Sequence, residues 1–272
     1  MSDLFFHEFG PADGPLVVAV HGITASHLAW LELAAAAPEL RIVAPDLRGR
    51  GASNGLPGPW SMERHADDVV AILDTLGLES APIVGHSMGA MVANVARFRH
   101  PDRVSDVLLV DGGLSLSLPD GVAPDPDALL GPAAERLAMT FASPEEYHAF
   151  WRKHPALADA WSDTLERYID YDLVDGRART VVDAMRQNAV EAYGTPGIEA
   201  AVAAVRPGTV MLAAPRGLLD ETPGLYSPAA RELWAARLGV EFVEVPDTNH
   251  YTIVMTPAGA AVVAEHVRRL VG

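Results

Sequence analysis

The sequence lacks cysteine, has little positive charge and contains no long apolar run. None of its 272 residues is cysteine, which excludes disulfides, cysteine nucleophiles and thiolate metal sites. Lysine and arginine number 20 against 36 aspartates and glutamates, which gives a formal net charge of −16. An acidic surface repels nucleic acids and anionic membranes, so we expect neither as a partner. No stretch approaches the roughly 20 apolar residues that a membrane span needs.

A signal for export and motifs that bind metals or nucleotides are also missing. Residues 1–15 contain neither a basic segment nor an apolar run typical of a signal peptide, so we expect a soluble, cytoplasmic protein. The ten histidines are scattered, and no H-E-x-x-H or comparable ligand cluster appears. No P-loop or G-x-G-x-x-G follows the first strand-like run. We therefore expect neither a metal nor a cofactor.

Short apolar runs alternate with helical patterns along most of the chain. The runs are rich in valine and isoleucine, which predicts buried strands of a parallel sheet; they lie at 16–22, 41–47, 81–87, 104–113, 208–215 and 240–246. Helices are predicted at 61–77, 88–101, 227–239 and 256–272. The segment DLFFHEF near the start could add an antiparallel edge strand. This alternation indicates an α/β fold, with a mostly parallel central sheet and helices on both faces.

Residues 114–206 interrupt the alternation. This segment begins with several prolines and continues with helix-like stretches rich in alanine, glutamate and aromatic residues. No convincing strand appears in it. We interpret 114–206 as a mostly helical insertion, and 1–113 together with 207–272 as the core domain.

The strand-like run at 81–87 ends in the sequence GHSMG, which matches the pattern G-x-S-x-G. When a strand turns directly into a helix, the positions two before and two after the apex are crowded, so only very small side chains fit there. Gly85 and Gly89 occupy those positions around Ser87. The serine would be exposed in a strained conformation at a helix N-terminus, which favours developing negative charge. The pattern predicts a nucleophile rather than an incidental serine in a turn.

Together with two earlier motifs, this segment resembles the α/β-hydrolase family. The motifs are VVAVHGITASHLAW at 17–30 and APDLRGRGAS at 44–53, the second similar to the family's D-x-R-G-x-G-x-S loop. The resemblance covers nearly the whole chain. It implies the α/β-hydrolase fold, with a helical cap inserted after the sixth sheet strand, where 114–206 would lie.

A serine hydroxyl needs a general base, and the base needs an orienting acid. His250 lies in the loop between the last predicted strand and the final helix, where the family keeps its catalytic histidine. The resemblance also implies an oxyanion hole made of the backbone N–H groups of Ile23 and Met88. We interpret His21 as a hydrogen-bonded scaffold residue. We do not expect His86 to be the base, because adjacent positions at a sharp turn point apart.

The acid has two candidates in the sequence. Asp220 is the first choice, because Gly217-Leu218-Leu219-Asp220 resembles the family's G-x-x-D pattern after the strand at 208–215. Its neighbour Glu221 could compensate. Some family members place the acid after the preceding sheet strand, which makes Asp111 in LLVDGG the alternative. The other interpretation of Asp111 is a strand-end aspartate that binds turn amides.

Two residues near the predicted oxyanion loop are pocket candidates. Thr24 could contact an acyl oxygen, and Trp30 could line an apolar pocket. The aromatic residues of the insertion could line the same pocket, but we expect most of them to form core.

The predicted function is a serine hydrolase for a small, largely uncharged carboxylic ester or lactone. The partner is therefore a small molecule, and the chain could be a monomer or a homodimer. Two other enzymatic activities remain open, namely hydrolysis of a C–C bond in ring-opened diketones and a cofactor-free perhydrolase reaction. A non-enzymatic alternative is a ligand receptor on a hydrolase scaffold. An aspartate in place of Ser87 would have indicated a dehalogenase or an epoxide hydrolase.

Overall fold

The computed structural model of the protein describes residues 3–116, 125 and 131–272. Its central sheet has seven strands in the order β1-β3-β2-β4-β5-β8-β9. Their bounds are β1 Phe6–Phe9, β2 Leu16–Val20, β3 Arg41–Pro45, β4 Ala81–His86, β5 Val104–Val110, β8 Val210–Ala213 and β9 Glu241–Glu244. Strand β1 pairs antiparallel with β3, and the other neighbours pair in parallel. The predicted α/β fold and its antiparallel edge strand are confirmed.

Eleven α-helices connect or cover these strands within the described residues. They are α1 Leu31–Ala36, α2 Met62–Leu76, α3 Met88–Arg99, α4 Pro132–Ala138, α5 Pro144–Trp151, α6 Asp163–Asp172, α7 Val182–Glu191, α8 Pro196–Ala203, α9 Pro228–Leu238, α10 Thr252–Met255 and α11 Pro257–Val271. Short 3₁₀ helices span His27–Trp30, Gly51–Ser53 and Ala158–Ala160. None of the helices described is long and apolar enough to cross a membrane.

Local sequence signals place helix α2 within one residue of its predicted bounds. The Ser61 hydroxyl accepts a hydrogen bond from the Arg64 N–H, so one of the unpaired amides of the first turn is satisfied. Gly77 ends the helix with φ of 68°, a left-handed conformation that favours glycine.

The core lies on both faces of the sheet. In β2, Val18 and Val20 pack with α2 and α3, while Val17 and Ala19 pack with α1 and α11. All four side chains are buried. This burial on both faces explains why the strand is a continuous apolar run and does not alternate.

The predicted insertion follows β5, the fifth strand along the chain. The resemblance placed it after the sixth sheet strand by the family's count, and the described residues contain five sheet strands before this point. The segment contains helices α4 to α8 and a two-stranded hairpin of β6, Leu173–Val174, and β7, Arg177–Ala178, that sequence patterns missed. Each of these strands is only two residues long, too short for a periodic pattern. Part of the predicted insertion, residues 117–124 and 126–130, lies outside the described residues.

Most buried apolar residues of the insertion pack into the core, and a smaller cluster within the insertion consists of Ala134, Leu137, Met185 and Ala189. The buried aromatic residues of the insertion join the same cluster as Trp30 and Leu33; they are Phe141, Tyr147, Trp151 and Tyr168. Hydrogen bonds add further links. The Tyr171 hydroxyl donates to Asp46 Oδ2 at 2.6 Å, and Asn249 Nδ2 donates to the Ala156 carbonyl at 2.9 Å.

Because the two parts share one cluster, we expect them to unfold together. Replacing Ile169, which is fully buried in α6 within that cluster, by alanine should lower the free energy of unfolding by about 2–5 kcal/mol. The whole transition should shift in denaturant, with the same midpoint by circular dichroism and by tryptophan fluorescence.

The matched control is Leu233→Ala in α9. The Leu233 side chain is 61% exposed, so its removal should change stability by less than about 0.5 kcal/mol. Two separate transitions in Ile169→Ala would contradict a shared core.

Candidate active site

Ser87 occupies a tight turn between β4 and α3. Its φ of 57° and ψ of −122° are unusual for a residue with a side chain. A Cβ at Gly85 would lie 2.3 Å from the Gly89 carbonyl oxygen, and one at Gly89 would lie 2.1 Å from the Val20 carbonyl oxygen. Both positions of the G-x-S-x-G pattern therefore require glycine, because the neighbouring backbone lies too close for any side chain.

The His250 ring is hydrogen-bonded at both nitrogens. Its Nε2 lies 2.9 Å from Ser87 Oγ, and its Nδ1 lies 2.7 Å from Asp111 Oδ2. Because a carboxylate only accepts, Nδ1–H donates to Asp111, which leaves Nε2 as the acceptor for the serine hydroxyl. Asp111 and His250 are both buried. The arrangement brings together a hydroxyl, a base and an acid in the order that activates a serine.

Asp111 is held from several sides at the end of β5. Its N–H donates to the Leu212 carbonyl at 2.7 Å, and its Oδ1 accepts from the Ala214 N–H at 3.0 Å. These bonds to the end of β8 aim the other oxygen, Oδ2, at His250. The next residue, Gly112, lies so close to Ser87 that a Cβ there would be 2.2 Å from the Ser87 carbonyl oxygen.

The predicted contact between Asp220 and His250 is wrong. Asp220 Oδ1 instead accepts hydrogen bonds from Arg216 Nε at 2.7 Å and from Asn249 Nδ2 at 2.8 Å. The single N–H on His250 Nδ1 is taken by Asp111, the residue that was the alternative acid. The side chain of Asp220 is 39% exposed. Partial burial raises the pKa of its carboxyl, but the bonds from Asn249 and Arg216 prevail and lower it.

Glu221 does not replace Asp220 at the ring. One of its carboxylate oxygens, Oε2, accepts from the Leu219 N–H at 2.7 Å, so it stabilises its own loop. Asp220 contacts the loop of His250 through Asn249, and also through Arg216, whose Nη2 donates to the Asp247 carbonyl at 3.1 Å.

The two predicted oxyanion donors lie beside Ser87. Met88 is the first residue of α3, where backbone N–H groups have no intrahelical acceptor. A Cβ at Gly22 would lie 3.7 Å from Ser87 Oγ, so the loop that carries Ile23 is close to the serine. Among the described residues, neither the Ile23 nor the Met88 N–H donates to a protein acceptor. Both residues line a cavity with Ser87 and His250.

His21 and His86 are hydrogen-bonded within the scaffold. His21 Nδ1 donates to the Gly22 carbonyl at 2.7 Å, and its Nε2 accepts from the Leu47 N–H at 3.0 Å. Burial lowers the pKa of His21 to about 4, so the ring is neutral. His86 Nε2 lies 2.8 Å from the His250 carbonyl oxygen. Burial, and then the charge of His250, lower the pKa of His86.

Two small cavities flank Ser87 in the described part of the chain. The first, of about 40 Å³, has apolar walls that include Met91, Leu116, Ala192, Leu218 and Leu225. The second, of about 20 Å³, is lined by Thr24, Tyr168, Tyr251 and Met255. A larger groove of about 750 Å³ lies between the other ends of β5, β8 and β9 and has no contact with Ser87.

Of the two pocket candidates, only Thr24 lines one of these cavities. Trp30 is fully buried and lines neither of them. It ends the 3₁₀ helix His27–Trp30, and its indole packs into the cluster that contains Leu33. The prediction for Trp30 is therefore wrong, because proximity in sequence to the oxyanion loop does not determine the direction of a side chain.

One group within the described residues has the spacing of a metal site, and sequence patterns missed it. His148, Glu166 and Asp170 of α5 and α6 have potential ligand atoms within 4.8 Å of one another. His148 Nε2 lies 2.6 Å from Asp170 Oδ1, and Trp161 Nε1 donates to Glu166 at 3.0 Å. The Arg152 guanidinium lies 3.6 Å from Glu166 and already supplies a positive charge there.

A family model for the alpha/beta hydrolase fold matches residues 15–189. The chain belongs to this family. Among solved structures, the chain is similar to an E-2-(acetamidomethylene)succinate hydrolase, with a TM-score of 0.78 and 23% sequence identity over 98% of this chain and 94% of that one. At this identity the likeness supports the fold alone.

Curated relatives match over shorter stretches. Lipase LipV of Mycobacterium tuberculosis is 35% identical over 114 residues, which cover 42% of this chain and 43% of that protein. A bifunctional esterase/perhydrolase, DCH of Acinetobacter calcoaceticus, is 34% identical over 129 residues, 44% of this chain and 46% of that protein. The chain thus matches less than half the length of either relative.

The hydrogen bonds of His250 predict different effects for the two aspartates. Asp111→Asn should slow the labelling of Ser87 by a fluorophosphonate by about 100-fold or more, because the amide cannot hold the same histidine tautomer. Asp220→Asn is the matched control and should change the rate by no more than a few-fold. The rate of covalent labelling, followed by intact-protein mass spectrometry, measures both. A larger loss in Asp220→Asn than in Asp111→Asn would contradict the assignment of the acid to Asp111.

Proposed function

We propose that this protein is a serine hydrolase that cleaves small, largely uncharged carboxylic esters or lactones through an acyl-enzyme. The observation that carries the proposal is the His250 ring bonded to Ser87 on one side and to buried Asp111 on the other. This chain of contacts can remove the serine proton during attack and return it to a leaving group.

In the first half of the reaction, Ser87 Oγ attacks the substrate carbonyl carbon while its proton moves to His250 Nε2. Asp111 stabilises the resulting imidazolium through Nδ1–H. The N–H groups of Ile23 and Met88 stabilise the negative carbonyl oxygen; each such donor typically contributes about 3–4 kcal/mol. The tetrahedral intermediate collapses, and the leaving alkoxide takes the proton from Nε2 and departs as an alcohol. A lactone would instead open, with its alcohol kept on the acyl chain.

In the second half, water replaces the alcohol. His250 Nε2 takes a proton from water, and the hydroxide oxygen attacks the acyl carbon. The intermediate then releases the carboxylic acid, and Ser87 Oγ recovers its proton from His250. The described residues supply every proton transfer in this sequence, so the reaction needs no further co-reactant than water.

The cavity walls support a small and uncharged substrate. The larger of the two cavities at Ser87 is lined mainly by methionine, leucine, isoleucine and alanine. A carboxylate placed there would lose its hydration, and the described lining contains no lysine or arginine to pair with it. The net charge of −16 also disfavours anionic substrates at a distance.

The proposal predicts hydrolysis of p-nitrophenyl esters, with a preference for short acyl chains. Wild type should release p-nitrophenol from the acetate and propionate esters, and kcat/KM should fall as the acyl chain lengthens because the cavity is small. Ser87→Ala should lose about 10⁴-fold or more of kcat. The readout is absorbance of p-nitrophenolate over a graded series of acyl lengths.

Ser105→Ala is a matched control, because Ser105 is exposed at the other end of the sheet in β5. It should retain wild-type rates. Turnover that persists in Ser87→Ala, or a wild type inactive on both esters and lactones, would contradict the proposal.

A perhydrolase reaction is a second candidate, and it is supported by the relative named a bifunctional esterase/perhydrolase. Hydrogen peroxide in place of water would attack the same acyl-enzyme and release a peracid. The apolar cavity favours this reaction, because a site that excludes water favours attack by the competing nucleophile.

We expect wild type in acetate and hydrogen peroxide to form peracetic acid. The peracid oxidises added bromide, and the resulting bromination of monochlorodimedone is the readout. Ser87→Ala should form none above the uncatalysed background. Ester hydrolysis without peracid formation would support the hydrolase proposal and contradict the perhydrolase candidate.

A further inference from the structure

The loop that carries the proposed oxyanion donor Ile23 is held by two buried arginines. Arg50 Nε donates to the Ile23 carbonyl at 2.9 Å, and Arg136 Nη2 donates to the Thr24 carbonyl at 3.3 Å. Both arginine side chains are fully buried. Two consecutive carbonyls that follow the Ile23 N–H are therefore bound by guanidinium groups, which restricts the rotation of the peptides around that N–H.

Arg50 is anchored on the helical insertion. Its Nη2 donates to Asn188 Oδ1 at 2.8 Å and to the Ala184 carbonyl at 3.2 Å, both in α7. The same nitrogen lies 4.0 Å from Met88 Sδ. One side chain thus contacts both residues whose amides face the proposed oxyanion, and its position is determined by a helix 134 residues or more away in the sequence.

Arg136 belongs to the insertion itself. It lies in α4, forms an ion pair with Asp172 of α6, and its Nη1 donates to the Tyr147 hydroxyl of α5 at 2.8 Å. Two further helices of the insertion therefore hold this guanidinium, and one of its N–H groups donates to the Thr24 carbonyl of the loop.

A third buried arginine shows what a purely structural role looks like in this chain. Arg48 is also buried, and it forms a two-point ion pair with Asp68 at 2.8 and 3.1 Å. Its other side-chain bond goes to the Pro57 carbonyl at 3.0 Å. None of these contacts of Arg48 reaches the loop at 22–24, so Arg48 supplies a matched control of the same residue type and burial.

From this arrangement we infer that Arg50 and Arg136 are positioning residues through which the helical insertion aligns the oxyanion loop, residues 22–24. The inference rests on the proposed function, because it assumes that the Ile23 N–H stabilises a developing oxyanion. Such a donor acts strongly only when it is aimed at the transition-state oxygen in advance. A misplacement of about 1 Å can cost about 100-fold in rate, so bonds that touch no substrate can still control kcat.

Lysine substitutions test the inference with little change in charge. In Arg50→Lys and Arg136→Lys the positive charge is kept, but a single ammonium cannot reach all the acceptors that the planar fork binds. We expect kcat for p-nitrophenyl acetate to fall by about 10- to 100-fold, while KM changes by less than about 3-fold. Arg48→Lys should keep kcat within about 2-fold of wild type.

A second readout separates alignment of the loop from general damage. A small alkyl boronic acid forms a tetrahedral adduct with Ser87, and its affinity should fall in the two variants by about the same factor as kcat. The affinity for the planar carboxylate product should change much less. Circular dichroism and the unfolding midpoint show whether each variant is folded.

Tyr147→Phe provides a variant that leaves Arg136 in place. It removes the hydroxyl that accepts from Arg136 Nη1 and donates to Asp172 Oδ2, but keeps the buried ring and the direct ion pair of Arg136 with Asp172. The variant should therefore fold even if Arg136→Lys does not. We expect a loss of kcat of about 3- to 10-fold, again with little change in KM.

The outcomes separate the two proposals. The inference is overturned if the folded variants keep kcat and boronic acid affinity within about 2-fold of Arg48→Lys, or if KM carries the whole loss. In either case the hydrolase proposal stands, provided that wild type turns over. A wild type that neither reacts with a fluorophosphonate at Ser87 nor hydrolyses any ester rejects both.

Discussion

The close approach of three backbone segments around Ser87 is the constraint on which the rest of the site depends. Gly89 of α3 lies against the end of β2, and Gly112 lies against Ser87 itself. Gly22 closes the third side, where a Cβ would lie 3.3 Å from Ser87 Cβ. Because no side chain separates these segments, the ends of β2, β4 and β5 meet at one point, as is typical of sites at the carboxyl ends of parallel strands.

This convergence also explains how the site can contain a buried carboxylate. Asp111 would be costly to bury alone. The Ala214 N–H and the His250 ring both donate to it, so each of its oxygens has a partner. The same two bonds tie the end of β5 to β8 and to the loop before α10. The carboxylate that binds the His250 ring is therefore also part of the scaffold that positions the ring.

Local sequence was sufficient for the parts of the site that depend on local geometry. The glycines at 85 and 89 made the turn at Ser87 predictable, and the place of His250 between a strand and a helix was visible in the pattern. The sheet strands and helices α2, α3, α9 and α11 were predicted to within a few residues because their apolar runs are continuous or periodic. The short helices α1 and α10 were not predicted. The family model that matches residues 15–189 agrees with the resemblance on which the fold was based.

The acid could not be chosen from sequence because both candidates follow a strand. The choice depended on which strand end faces the His250 ring, and that is a property of the assembled sheet. Gly112 was a usable signal, since a glycine directly after Asp111 indicates close backbone contact. The prediction that Trp30 lines the pocket was wrong for a related reason, because its neighbours in the chain do not determine the direction of its side chain. The contact of Arg50 with Asn188 and that of Arg136 with Thr24 each link residues more than 100 positions apart and leave no local pattern.

The shared core has a consequence for how this chain can change by recombination. Tyr171 binds Asp46, and Asn249 binds the Ala156 carbonyl, so residues on both sides of the insertion depend on partners inside it. A helical segment transplanted from another member of the family would lack these partners and would leave buried polar groups unsatisfied. New specificities in this lineage are therefore expected to arise by single substitutions in the cavity walls, with the helical segment inherited as a whole together with its core.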